Sequence, residues 1–177
     1  MPPAVRKGAL AVHLTVSVGW IGALAAYIAL DLATATSEDA PTLRAAYLGM
    51  EAIAHYVIVP LALSSLLTGL VMSVGTKWGL FRHYWVVISL VLTVVATAVL
   101  LVETQTIRSL ADMAADPTVR TDELRALHST LAHSIGGMVV LLLIAALNVY
   151  KPQGMTRYGW RKGERAPREQ LVTGRAE

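Results

Sequence analysis

The sequence predicts an all-α integral membrane protein, a four-helix bundle with both termini in the cytoplasm. Three observations carry that reading. Four apolar runs, residues 9–32, 52–74, 84–102 and 131–149, each reach the roughly 20 residues that a helix needs to cross hydrocarbon about 30 Å thick. The chain is 55% hydrophobic and only 15% charged, whereas soluble domains carry about a quarter charged residues. The charges are also sorted by side. The N-terminal segment, the loop 75–83 and the tail from Lys151 hold eleven of the fifteen Lys and Arg. The connections on the other side hold Arg44, Arg108, Arg120 and Arg125, and that half of the chain has nine of the twelve acids. By the positive-inside rule, the Lys/Arg-rich side faces the cytoplasm.

This divides the chain into a four-span transmembrane domain, residues 1–151, and a basic, partly disordered cytoplasmic tail, residues 152–177. The basic balance is accounted for by topology and contact with membrane lipids, so nucleic-acid binding is not needed to explain it. There is no cysteine. That excludes disulfides, thiolate metal sites and covalent c-type haem.

The first run reads ALAVHLTVSVGWIGALAAYIALDL. It follows Arg6 and Lys7, as a signal peptide would, and Ala33-Thr34-Ala35 resembles a cleavage site. The run is too long for a signal sequence, however, and is expected to stay as the first span. His13, Ser17, Trp20, Tyr27 and Asp31 fall at i, i+4, i+7, i+14 and i+18, one narrow stripe at 100° per residue. Lipid has no use for a polar stripe, so this face should look into the bundle.

Ser37, Glu38, Asp39 and Pro41 make a good helix start, with acids at the positive end of the dipole. The second span should begin near Thr42, carry His55 near the outer boundary and kink at Pro60. Ala62, Leu66, Gly69 and Ser73 share its face, and the small residues permit close approach of a helix or a flat ligand. The loop GTKWGLFRHYW is short, basic and aromatic, with Trp78, Phe81, Tyr84 and Trp85 expected in the interfacial belt. Ser89, Thr93 and Thr97 repeat every four residues along the third span, where hydroxyls can bond their own i−4 carbonyls. That helix should run to about Met113 and break at Asp116-Pro117. Thr121, Asp122 and Glu123 restart a helix expected to continue into the fourth span. His128 falls in this extension, His133 one turn inside the span, and Gly136 and Gly137 follow. Lys151-Pro152 should end it.

Four of the five histidines lie at span ends, two per side. His13 and His83 are at the cytoplasmic end, His55 and His133 at the outer end. His13 and His133 sit at opposite ends of their spans and cannot share one iron. Same-side pairs can, and facing histidines in a helical bundle are an ordinary way to hold b-type haem. Zinc wants four ligands, usually including Cys or carboxylate, and copper(I) favours sulfur. The methionines form no close pair. No HExxH, Walker A or Ser-His-Asp pattern is present, so nucleophilic hydrolysis has no support.

The pattern His13-x6-Trp20-x-Gly22 is similar to the first helix of the CopD-like copper-resistance membrane proteins and of HemJ-type protoporphyrinogen oxidases. The His83 of FRHYW also resembles the HemJ pattern, and that resemblance implies b-type haem. HemJ-type proteins have a Lys soon after this His, where the present chain has Tyr84 and Trp85. The chain resembles more closely a group of uncharacterised bacterial four-span membrane proteins. That likeness lies in the WGLFRHYW-like loop at 78–85 and the VYKPxGxTRYGWR-like tail at 149–161.

Residues and resemblance together lead to one expectation: a bundle that binds haem b and works in electron transfer or a coupled redox reaction. His13 and His83 are the expected axial ligands. Ser17 and Trp20 would orient His13 or pack against the ring, and Arg82 and Lys77 would meet the propionates. His55 and His133 form a candidate second haem or metal site. The expected partners are lipids and a redox partner or quinone; self-association into a homo-oligomer stays open. The alternatives are a copper-handling or transport protein and a cofactor-free structural or regulatory subunit.

Overall fold

Pro2 and Pro3 open a long helix, α1 (Pro3–Thr36), whose missing proline N–H groups cost nothing in a first turn. The computed structural model describes residues 2–75, 80–127, 129–152, 154, 156, 157 and 160. The remaining elements are α2 (Ala40–Ile53), a single π-turn (Ala54–Ile58), α3 (Val59–Gly75), α4 (Tyr84–Ala115), α5 (Thr121–Arg125) and α6 (Leu131–Tyr150). No strand occurs among the described residues. Four helical rods are long and apolar enough to cross a membrane: α1, the continuous unit Ala40–Gly75, α4 and α6.

Helix α2 starts two residues earlier than expected. Asp39 is its N-cap, and Oδ2 accepts the Thr42 amide at 3.0 Å. The kink expected at Pro60 takes the form of the π-turn. Pro60 has no N–H to give, and just before it the Val59 amide reaches back five residues to the Ala54 carbonyl. Helix α4 runs to Ala115 and stops at Asp116-Pro117, as its sequence requires. Thr93 Oγ1 donates to the Ser89 carbonyl and Thr97 Oγ1 to that of Thr93, both at 2.8 Å, so this hydroxyl ladder serves its own helix.

The expected continuous helix from Thr121 into the fourth span is broken. The Ala126 amide closes α5 on the Asp122 and Glu123 carbonyls, and α6 begins anew at Leu131. The break turns the hydroxyls of Thr130 and Ser134 onto Asp31 of α1. Helix α6 ends at Lys151, which adopts a left-handed φ of 45° ahead of Pro152. Beyond it, Thr156 donates its amide to the Arg82 carbonyl at 2.9 Å and its hydroxyl to the Phe81 carbonyl, tying the tail to the start of α4.

Helix α1 packs on α2, α3 and α6, and α4 packs on the same three, so α1 and α4 face each other across the bundle diagonal. The core lies mostly in the half remote from the termini, called the far end below. Leu43, Met50, Ile58 and Leu124 are its most deeply buried side chains. Helix α1 buries nothing before Trp20. Phe81 and Tyr84 are exposed, as an interfacial belt needs, but Trp85 is buried. Its helix turns it inward beside His83, with ring centroids 6.5 Å apart.

Candidate functional site

The polar stripe of α1 divides into two sites facing different helices. Near the termini, His13 Nδ1 lies 2.9 Å from Thr68 Oγ1 on α3, and Ser17 Oγ lies 2.8 Å from Ser65 Oγ. The Thr68 hydroxyl donates to the Ser64 carbonyl at 2.7 Å. With its one proton on that carbonyl, it accepts from His13 Nδ1–H. In that tautomer the proton is on Nδ1, and the Nε2 lone pair is left for a Lewis acid. The Ser65 carbonyl is a second acceptor beside the same imidazole. Gly69 provides the seat, since a Cβ there would stand 3.2 Å from His13 Cε1. Thr68 was not among the residues expected to matter. An i−4 back-bonded threonine looks ordinary in sequence, and only the packing of α3 on α1 brings it to His13.

Other expected site residues are placed as follows. Ser17 bonds Ser65, so it is Thr68 that orients His13. Trp20 is buried in the core cluster that also holds Leu24 and Tyr27. His83 is the N-cap residue of α4, half-buried and across the diagonal from α1. Thr68 lies seven residues inside the end of α3, and Ser89 of α4 lies six residues beyond His83. By helical rise His83 is about 9 Å nearer the start of α4 than Ser89. Ser89 Oγ is buried with no hydrogen-bond partner among the described residues. Arg82 flanks His83 and is half-buried. Lys77, Trp78, His128 and most of the tail lie outside the described residues.

The far-end histidines have different neighbours. His55, exposed at the π-turn, stacks edge-on against Tyr56 and lines a pocket of about 110 Å³ with Glu51, Thr104, Gln105 and Arg108. His133 is exposed on α6, its Nε2 3.8 Å from Glu103 Oε1 of α4. Gly136 faces open space, with nothing within 4 Å of where a Cβ would stand, and Gly137 packs on Leu24. Among the described residues no three His, Asp or Glu side chains converge on one metal-sized site.

The second half of the stripe is the larger polar cluster. Asp31 Oδ2 accepts from Thr130 Oγ1 at 2.9 Å and from Ser134 Oγ at 3.0 Å. Tyr27 lies 3.0 Å from Thr130 Oγ1, whose proton already goes to Asp31, so the phenol is the donor. Thr34 donates to the Asp31 carbonyl at 2.7 Å, and Tyr47 of α2 bonds Thr34. The sequence placed Tyr27 and Asp31 on the inward face but held no sign of their partners on α6. No family model, curated protein or solved structure matches the chain.

Proposed function

We propose that the chain is a multi-pass protein of the bacterial plasma membrane that holds b-type haem and works in electron transfer or a coupled redox reaction. The observation that carries the reading is the relay from His13 Nδ1 through Thr68 Oγ1 to the Ser64 carbonyl. Metal-binding histidines characteristically donate their other ring N–H to such a partner, which fixes the tautomer and the ring plane. Gly69 gives the imidazole itself its place against α3, which holds the ring plane from a second direction. Haem would supply one-electron chemistry when bound; His13 would hold its iron through Nε2, and Thr68 would keep that lone pair directed.

His83 would be the second residue to hold the iron, and Arg82 and Lys77 would meet the propionates. Both termini are cytoplasmic, as the distribution of Lys and Arg favours. The electron partner is a quinone or a second redox protein.

Visible spectroscopy of the purified full chain, from cells supplied with haem, tests the reading. A sharp α-band on reduction that is lost in both His13→Ala and His83→Ala supports six-coordinate haem on the two histidines. A high-spin spectrum lost only in His13→Ala supports haem on His13 alone and removes His83. A colourless protein overturns haem binding. Stoichiometric copper in that colourless protein would favour a copper-handling role.

A further inference from the structure

A carboxyl group deep in a bundle is expected to have partners on both oxygens, and Asp31 does not. Its side chain is 1% exposed. Thr130 and Ser134 both serve Oδ2, while Oδ1 is buried with no hydrogen-bond partner. None of the ion pairs among the described residues includes Asp31. Buried carboxylates are stable when they are paired, neutralised or coordinated to a cation, and hydroxyl donors on one oxygen alone achieve none of these.

The surroundings connect Asp31 to the surface. A pocket of about 210 Å³ at the far end is lined by Thr34, Ser37, Tyr47, Arg125 and Ser129, among others. Thr34 and Tyr47 are also the residues beside Asp31: Thr34 bonds its main chain, and the Tyr47 phenol bonds Thr34 within electrostatic reach of the carboxylate. The pocket therefore reaches the polar shell of Asp31 from outside. Titratable neighbours come from every packed element. Tyr27 on α1 and Tyr47 on α2 lie within electrostatic reach of Asp31; Glu103 on α4, with His133 of α6 against it, acts on Tyr27; and Arg125 of α5, which lines the pocket, pairs with Glu38.

We infer that Asp31 is a binding site for a small monovalent cation, a proton or a sodium ion, exchanged with the far-end surface through the pocket at Thr34 and Tyr47. The donor set is a carboxylate oxygen and hydroxyls, all hard oxygen, which suits these cations and not copper or haem iron. A single carboxylate carries too little charge for a calcium site of ordinary affinity. Binding is reversible and neutralises the buried charge. A proton joins Oδ1 and turns carboxylate into carboxylic acid; a sodium ion balances the carboxylate without a covalent bond. Asp31 lies at the other end of the stripe from His13, so the site stands whether or not haem binds.

Two measurements on the full chain in nanodiscs test it. One is equilibrium binding of radioactive sodium. The other is an infrared difference spectrum between acidic and alkaline buffer, which reads the C=O stretch of a protonated carboxyl. Stoichiometric sodium, displaced by acid and lost in Asp31→Asn, supports the site with sodium as its ion. Absent sodium binding, a buried carboxyl band that responds to pH and is missing from Asp31→Asn supports it with the proton. If Asp31→Asn does not fold, Ser134→Ala takes its place. Removing one donor to Oδ2 should move the same band or weaken sodium binding about tenfold. A wild-type chain with neither sodium binding nor a pH-responsive buried carboxyl band overturns the inference, as does a response left unchanged by both substitutions.

Discussion

The hydroxyl of Thr68 stands 2.9 Å from Nδ1 of His13, and with its own proton on the Ser64 carbonyl it accepts there. The side chain that sets the imidazole thus belongs to another helix. Thr68→Val keeps the shape and removes the acceptor. On the haem reading it should lower haem affinity roughly 10- to 100-fold, the usual cost of losing such an outer partner. Haem titration of wild type and variant measures this, and circular dichroism should show an unchanged helix content. Equal affinities would remove Thr68 from the site.

Gly69 and Gly22 should respond in opposite ways. A methyl at Gly69 would stand 3.2 Å from His13 Cε1, so Gly69→Ala must displace the ring by a few tenths of an ångström. Gly22 has nothing within 4 Å of the corresponding position. Alanine raises helix propensity by about 1 kcal/mol at either site, so neither variant should lose its fold. Gly69→Ala is expected to shift the haem spectrum or weaken retention, and Gly22→Ala to leave both unchanged. Spectra of the two variants side by side decide it, and a shift in Gly22→Ala alone would contradict the packing.

Helix periodicity made the inward stripe of α1 legible, because it depends on one helix only. It did not reveal that His13 and Ser17 address α3 whereas Tyr27 and Asp31 address α6. Their partners Ser65, Thr68, Thr130 and Ser134 are common hydroxyl residues whose register depends on how the helices pack. The disturbance at Pro60 was legible from its missing N–H, but its form as a π-turn upstream was not. Trp85 carried the composition of an interfacial aromatic and is buried, since the start of α4 sets which way it points. The break before α6 was missed because Thr121–Arg125 has good helix-starting chemistry, and the hydroxyl contacts to Asp31 that accompany the break are tertiary.

Arg44 gave no local signal beyond its charge, yet it holds down the end of α4. Its Nη1 donates to the Ala114 and Asp116 carbonyls and its Nη2 to the Val119 carbonyl, each at 2.6 Å. Helix C-termini leave carbonyls unsatisfied, and a planar guanidinium reaches several at once. Arg44→Ala should cost about 2 kcal/mol, the scale of hydrogen bonds from a charged donor. Arg44→Lys should recover only part, because an ammonium does not reproduce the fork. Thermal unfolding in detergent should rank wild type above Lys above Ala. A lysine variant as stable as wild type would show that charge alone is needed.

Orientation is tested by reporters fused after Glu177. The distribution of Lys and Arg predicts that a reporter active only in the cytoplasm works there. A second fusion, inserted between Thr118 and Val119, should work only with a reporter active outside. The reverse result at both points would put the His13 site on the outer side and the Asp31 pocket on the cytoplasmic side.

Two far-end aspartates should contribute to the acid limb of stability. The hydroxyl and amide of Thr42 hold the Asp39 carboxyl below the usual range, and those of Thr118 do the same for Asp116, with Arg44 assisting. Each group binds a proton less readily in the folded chain than in the unfolded one. Acid therefore favours unfolding: the contribution is complete above the ordinary aspartate value of about 3.9 and is lost as pH falls through the lower folded value. The melting midpoint should stay level from neutral pH to about 5 and decline below about 4. Asparagine is also a good cap, so Asp39→Asn with Asp116→Asn should change little at neutral pH yet flatten the acid decline. Melting curves across that range check the sign. A wild-type midpoint that rises on acidification, or a double variant with the same acid slope, would show that these two carboxylates do not set it.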